Sequence, residues 1–418
     1  MTTVMNTNVR KEGSVVGAQR GRATAVQLRR DQLSEVTEDL CATVFASLRR
    51  KDQRERGLQY VRGLLTTHGR KSIRSIAAQV GGPAAEQSLH HFISSSTWDW
   101  QPIRTALSRY LEASTPLTAW VAQPMAIPKG GEHSVGVGHR FDPHQGQMFR
   151  GQQAFGTWFI SPEMATPVGW RLFLPDAENN AEAVANSAQR QVGAPETAQH
   201  MSYEECAASG VIETVKASGM PARPVVLDIR HIGTRLTMNR FAEARVPVIA
   251  RISPNSRLLV TDPALPGYGS GVMNAGDVLQ SIKGLRTPVE WQDPVNPSVH
   301  RSSLAAAVRV MMPDPSQSRR RQLLLIGEWT DPRRLPTQMW ITDLTRLPVG
   351  PLLRLTKKAR RVTLSAQHSG QELGLRDYAG RSLHGWHRHV TMASIAHAAH
   401  SLVGPAQHQE SYAVPATS

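Results

Sequence analysis

Four apolar runs in series, LTAWVAQ from Leu117, HSVGVGHRF from His133, QQAFGTWFI from Gln152 and GWRLFLP from Gly169, limit what this chain can fold into. Each is short, rich in β-branched and aromatic residues, and bounded by Gly or Pro, as strands are. A helical pattern follows (MSYEECAASGVIETVKAS), then an apolar strand (PVVLDI), a second helix (TRLTMNRFAEA) and another strand (VPVIARI). Strands in series followed by helix and strand in alternation predict an α/β sheet with an antiparallel half. Residues 254–345 interrupt that alternation with turn-rich sequence and the strands AAVRVMM, RQLLLIGEW and QMWITDL, and read as a β-rich insertion. Helix returns at about 349 and again at HVTMASIAHAAHSLV.

Upstream the period changes. LSEVTEDLCATVFASL and RERGLQYVRGLL place apolar residues three or four apart, as amphipathic helices do. GRKSIRSIAAQVGG is a short helix stopped by Gly81, Gly82 and Pro83, and PAAEQSLHHFISSSTWDWQPIRTALSRYL holds two more joined at SSSTWDW. The expected organisation is a mobile basic arm over 1–30, a helical unit over 31–115, the α/β unit over 116–403, and a disordered tail over 404–418.

Charge narrows the partners. The chain carries 48 Lys+Arg against 33 Asp+Glu, a balance of +15. Eleven of those cations fall between Arg319 and Arg361, including Arg320, Arg321, Lys357, Lys358, Arg360 and Arg361, against Glu328, Asp331 and Asp343. A basic stripe of this kind suits nucleic acid, because each neutralised phosphate releases condensed counterions, although a solvated face has the same composition. No apolar run approaches the ~18 residues of a membrane span, and the N-terminus lacks a secretory pattern, so the expectation is a cytoplasmic, nucleoid-associated protein. Cys41 and Cys206 stand alone, without metal-clamping spacing, and read as buried thiols. No glycine-rich phosphate loop has a strand–helix setting, which leaves nucleotide hydrolysis without support.

In open α/β sheets, ligands and catalytic groups collect at the carboxyl ends of strands. The first strand here carries Gln123 and Pro124 at that lip, and no carboxylate.

Several ordered stretches resemble the DDE-type transposases of bacterial insertion sequences, in the insertion-sequence seven-oh-one family. They are YVRGLL from Tyr60, RKSI from Arg70, QSLHHFISSSTWDW, PKGGEHSVGVGHR from Pro128, PVGWRLFLP from Pro167, VVLDIRHIG around Asp228, LLLIGEW, the Trp340 strand, and QELGLRDYAGRSLHGWHRHVTMASIAHA. The resemblance implies an RNase H-like mixed sheet with a β-rich insertion and a helical domain before it. It also implies two Asp and one Glu binding two divalent metals, Mg²⁺ or Mn²⁺, for in-line attack on a DNA phosphodiester, and assembly into homo-oligomers.

Carried over residue by residue, the pattern breaks. An Asp-Asp-Thr-Gly run before the Pro-Lys of PKGG corresponds to Gln123, Pro124, Met125 and Ala126, so the first acid is absent. The second, in a strand ending Ala-Asp-Ala-Gly-Tyr-Gly, corresponds to Asp228, now followed by Arg230 and His231. The Glu eleven residues before the glycine of ELGL corresponds, counting back from Gly374, to Thr363. Glu132, Asp142 and Glu372 are the nearest substitutes in sequence, but Glu132 and Asp142 lie beyond the strand end, and nine residues of helix displace Glu372 from Thr363 by roughly 13 Å. Asp228 is then either a vestigial ligand, the only metal contact left, or a buried partner for Arg230 or Arg251. His384, His387 and His389 in HGWHRH lack the acids of a metal site; the resemblance implies that they, with Arg381 and Arg388, contact phosphate near the groove, and Lys129 likewise faces DNA. Trp98 and Trp100 read as core anchors rather than stacking platforms. Two functions follow as expectations: a transposase-derived DNA-binding protein without its two-metal centre and without a cofactor, or an active transposase with rearranged acids that uses Mg²⁺ or Mn²⁺. A protein-interaction module unrelated to DNA is the third class.

Overall fold

The computed structural model describes residues 9–130, 134–142, 146–174, 202–229, 233–294, 296, 298–313 and 321–404, with side chains from residue 26 onward. Helices come first: α1 (Val9–Val44), α2 (Lys51–Thr66), α3 (Ile73–Val80), α4 (Pro83–His90) and α5 (Gln101–Ser114). Helix α3 starts where the Ser72 side chain accepts from the Ser75 amide, and α4 starts with proline in its first turn, both favoured ways to begin. The stretch expected as a mobile arm is helical from Val9, in α1. Its Ala, Gln and Arg residues are good helix formers, and the lack of an apolar stripe concealed them. Residues 1–8 and the expected tail from 405 lie outside the described residues.

The strands are β1 (Ala119–Pro128), β2 (Gly138–Asp142), β3 (Gln147–Ile160), β4 (Ala165–Leu172), β5 (Val225–Leu227) and β6 (Val248–Arg251). Strand β3 lies antiparallel between β1 and β4, while β1, β5 and β6 run parallel. Helix α6 (Tyr203–Ser218), opened by a capping box at Ser202 and Glu205, and helix α7 (Thr234–Ala244) make the crossovers. This is the α/β, RNase H-like mixed sheet that the sequence led one to expect.

The stretch read as an insertion does not form a separate layer. It contributes β7 (Arg257–Val260), β8 (Met273–Asn274), helix α8 (Ala275–Ser281), β9 (Thr287–Gln292), β10 (His300–Met311), β11 (Leu323–Trp329) and β12 (Gln338–Thr342). Strand β12 pairs antiparallel with β6, so the new strands lengthen the same sheet to twelve strands. After it come α9 (Val349–Gln367), the short α10 (Ser369–Glu372) and α11 (Leu383–Leu402).

Helix α9 crosses β1, β4 and β5 and continues over β9, β10 and β11. Helix α11 packs on β4 and against α1, α2 and α5. One apolar core therefore runs without a break from Leu40 through the sheet residues Trp120, Phe159 and Ile249 to Trp386 and Ala399. The helical and α/β parts expected as separate units share it. Fully burying side chains of this size contributes about 1.5–3 kcal/mol each, which fixes the helical part against the back of the sheet.

Candidate functional site

Strand β1 is paired on both sides only as far as Ala122, which lies opposite Leu227 of β5. Pro124 is tolerated two residues later because that side of β1 has become an edge, where no amide donor is needed. One residue past the last parallel rung come Gln123 and Asp228, on adjacent strands. From the other direction α9 brings Thr363 over the same strand ends.

Gln123 and Thr363, 240 residues apart in sequence, are hydrogen-bonded: the amide Nε2 donates to the threonine Oγ1 at 2.7 Å. The hydroxyl donates in turn to the Ala359 carbonyl at 3.2 Å. Gln123 is buried, 6% exposed, and its Oε1 has no partner. Asp228 accepts from Arg251 Nη1 at 3.0 Å, with both side chains largely covered, and the guanidinium lies 5.9 Å from the centre of the Trp340 ring. Arg251 is one of the two cations weighed for it; the other, Arg230, lies outside the described residues.

Two cavities meet at Thr363. One, of about 370 Å³, is lined by Gln123, Pro124, Gln153, Gln371, Arg376 and Asp142. The other, of about 770 Å³, is lined by Asp228, Arg251, Glu328, Lys357 and Arg360. Asp142, judged from sequence to lie away from the site, ends β2 and turns its 8%-exposed carboxylate toward the first cavity. Glu372 borders a different cavity, between the loop after α2, α10 and α11, and Glu132 lies outside the described residues.

Glu328 is a site residue that the sequence reading missed. It sits 1% exposed near the end of β11, accepts from Lys357 Nζ, and leaves Oε2 without a partner. Lys357 also lies 4.4 Å from the centre of the Trp291 ring; burial lowers its pKa, and the Glu328 charge opposes that. The signal was available: a lone Glu in the otherwise apolar run LLLIGEW demands a buried cation. Among the described residues, no three His, Cys, Asp or Glu side chains gather as a metal site.

The cations expected to face DNA divide into groups. Arg360 and Arg381 are exposed, and Arg360 borders the Asp228 cavity. Lys129 is half-buried, donates to the Gly380 carbonyl at 3.3 Å over the Tyr378 ring, and is pushed down to about 8 by burial and by Arg70. Lys358 is half-buried, its pKa lowered by burial and by Arg361.

The rest need correction, because they are engaged within the protein, the cations with carboxylates or carbonyls and the two histidines as buried rings. Arg321 pairs with Asp343 at 2.6 Å and Lys357 with Glu328. Arg361 donates to the carbonyls of Ser161, Pro162 and Glu163 and so ties α9 to the β3–β4 turn. Arg388, 4% exposed, donates to the carbonyls of Ile93 and Trp98. His389, 1% exposed, joins the Tyr60 hydroxyl (2.9 Å at Nδ1) to the Gly374 carbonyl (2.7 Å at Nε2). Gly374 has φ +77° and a Cβ there would meet Lys71 at 2.5 Å, so only glycine fits that turn. His387 stacks on Trp100 with ring centres 4.6 Å apart and lies 3.2 Å from Arg104 Nη2. Burial holds His389 at about 4, and burial with Arg104 holds His387 well below its usual value. Helix α11 is covered by α2, β4 and α1, which is why its charged residues point inward. Arg320 lies outside the described residues.

Trp98, 5% exposed, donates to the Phe92 carbonyl and is a core anchor. Cys41 and Cys206 are buried free thiols, both pushed up to about 12 by burial.

No curated protein matches the chain. The family described as DDE superfamily endonuclease, whose members use divalent metals and act on DNA, matches residues 43–319, about two-thirds of the sequence. That match takes in β1 and Asp228 and stops before α9 and Thr363. With this match laid over the mixed sheet and the strand ends that gather Gln123, Asp228 and Thr363, the chain belongs to the DDE superfamily of endonucleases.

Proposed function

We propose that the chain is a transposase-derived DNA-binding protein in which the two-metal centre of its family has been lost. One observation carries the reading: two of the three positions to which the family resemblance assigns acids hold Gln123 and Thr363, bonded to each other at 2.7 Å. Two divalent cations clamping a phosphodiester need hard, anionic oxygen ligands on both ions. An amide and a hydroxyl committed to one another, beside a carboxylate committed to Arg251, do not fit that need. The replacement is also self-consistent. Two carboxylates at these positions would repel in the absence of metal, whereas this neutral pair attracts.

DNA remains the partner that the surface suits. The chain balance is +15, Arg360 is exposed at the border of the Asp228 cavity, and Arg381 is exposed in the loop before α11. Phosphate contacts of this kind give affinity without sequence information, so the reading is of a protein that holds DNA over a cleft that does not cut it.

Asp142 favours a second reading, an active enzyme with a rearranged acid set, because it lines the cavity that Gln123 and Thr363 share. A plasmid nicking and strand-transfer assay in Mg²⁺ and in Mn²⁺, beside a gel shift on the same DNA, separates the two. Binding without cleavage in either metal supports the proposal. Metal-dependent cleavage abolished by Asp228→Ala and by Asp142→Ala overturns it in favour of the second reading.

A further inference from the structure

We propose that Arg70 and Lys129 clamp one phosphate of the DNA held over the cleft, gripping it from the helical part of the chain; the inference rests on the DNA-binding reading above. The two side chains come from remote segments. Lys129 follows the last residue of β1, and Arg70 is exposed in the loop between α2 and α3. Close packing carries that loop across. The Lys71 amide donates to Asp377 Oδ2 at 2.8 Å, and Lys71 sits so near Gly374 that a Cβ there would meet it at 2.5 Å. The same segment holds Lys129, whose ammonium donates to the Gly380 carbonyl and lies 5.2 Å from the centre of the Tyr378 ring.

The charges are left unbalanced. Arg70 stands close enough to act on the Lys129 ammonium, and among the described residues neither cation forms an ion pair. The acids nearest the loop, Glu372 and Asp377, act instead on Lys71, which is 4% exposed and donates to the Thr67 carbonyl. Two like charges held together without a counter-ion repel. An anion between them reverses that repulsion, and a phosphate offers an oxygen to each.

Position identifies the anion. Six residues of extended chain separate Lys129 from Gln123, a span of about 20 Å. The cavity that Arg70 and His68 line meets the cavity of Gln123 and Thr363 at Gln367 and Gln371, so the cleft continues toward the clamp. Phosphates along one DNA strand advance about 3.4 Å each, so DNA lying over Gln123 and Thr363 brings a phosphate to the clamp about six nucleotides away.

The test is binding of the full chain to a linear duplex by fluorescence anisotropy, over a salt series and from pH 7 to 9.5, beside unfolding midpoints. Arg70→Ala weakens binding roughly five- to tenfold and flattens the salt dependence by about one phosphate, with the midpoint unchanged. Arg257→Ala, an exposed cation on β7, changes neither. Lys129 titrates at about 8, and a bound phosphate keeps it charged, so wild-type affinity falls about tenfold between pH 8 and 9.5. Lys129→Arg removes that fall. The other groups that face Lys129 are Arg70, Arg150, Tyr378 and His389; arginine does not titrate in this range, burial raises Tyr378, and burial holds His389 at about 4. Arg70→Ala with wild-type affinity and slope, or Lys129→Arg with the wild-type pH profile, overturns the clamp and leaves the DNA reading standing. An equal loss in Arg257→Ala assigns the effect to net charge and also overturns it. Calorimetric binding of inorganic phosphate that Arg70→Ala abolishes, with DNA affinity unchanged, assigns the site to free phosphate and overturns the clamp on DNA. Wild-type protein that fails to bind the duplex overturns both readings.

Discussion

Gln123→Asp puts a carboxyl where the side chain is 6% exposed and one residue beyond the rung that leads into Asp228. The shorter side chain gives up the 2.7 Å bond to Thr363, worth about 1 kcal/mol. Burial and the neighbouring Asp228 charge both oppose ionisation and raise the new carboxyl from its reference value near 3.9 by roughly 2–3 units. At about 1.4 kcal/mol per unit, the added cost at pH 8 is about 3–4 kcal/mol. The folded state then binds the proton more tightly than the unfolded state, so the penalty is small near pH 4, grows as pH rises, and levels off above the raised pKa at roughly 6–7. Urea unfolding of variant and wild type at pH 4.5 and pH 8 reads it as a difference, which removes the pH dependence common to both. Adding Thr363→Glu deepens the loss without metal, and Mn²⁺ offsets it in the double variant by mass action. A penalty equal at both pH values would show that position 123 does not face a buried, anionic site, and the reasoning would fail.

Other consequences are equally direct. Lys357→Met strands Glu328, 1% exposed, and destabilises by about 3–5 kcal/mol, whereas Lys357→Met with Glu328→Leu is near neutral by the same unfolding assay. His389 and His397 are held neutral, near 4 and 3, by burial, so stability is present above the unfolded value of 6.5 and is lost as pH falls toward the folded values. Together they remove roughly 5 kcal/mol between pH 6.5 and 4, and an unfolding free energy flat over that range contradicts the burial. Arg360→Ala weakens DNA binding and flattens the salt dependence by about one phosphate without changing stability. Arg388→Ala destabilises the fold by removing donors to Ile93 and Trp98, visible as a lowered unfolding midpoint.

Much of the sheet was legible because β1, β3 to β6 and β10 to β12 carry apolar signatures, whereas the short or mixed β7 to β9 were not read, and the end of β1 could be located because its first four residues are a nearly pure apolar run. The count back from Gly374, an offset taken from the family resemblance, landed on Thr363, the residue bonded to Gln123, although it crosses the break between α9 and α10. Partnerships were less legible. Whether β12 returns to β6 depends on pairing across the whole β-rich stretch, and nothing local to QMWIT encodes that. Arg388 and His389 looked like surface groups by residue type. Yet HVTMASIAHAAHSLV is apolar nearly all round, the pattern of a helix covered on every side, and such a helix draws its charged neighbours inward. Asp142 was misjudged because distance along the chain stood in for distance in space: the β2–β3 hairpin folds it back against the Gln123 cavity.

The most direct test is a Mn²⁺ titration of the wild-type protein followed by electron paramagnetic resonance, with and without DNA. The account predicts no tight Mn²⁺ site in either case, alongside undiminished DNA binding in a chelator. One or two tightly held Mn²⁺ per chain, lost on Asp228→Ala or Asp142→Ala, would contradict it and would mean that the cleft still holds the metals of its family.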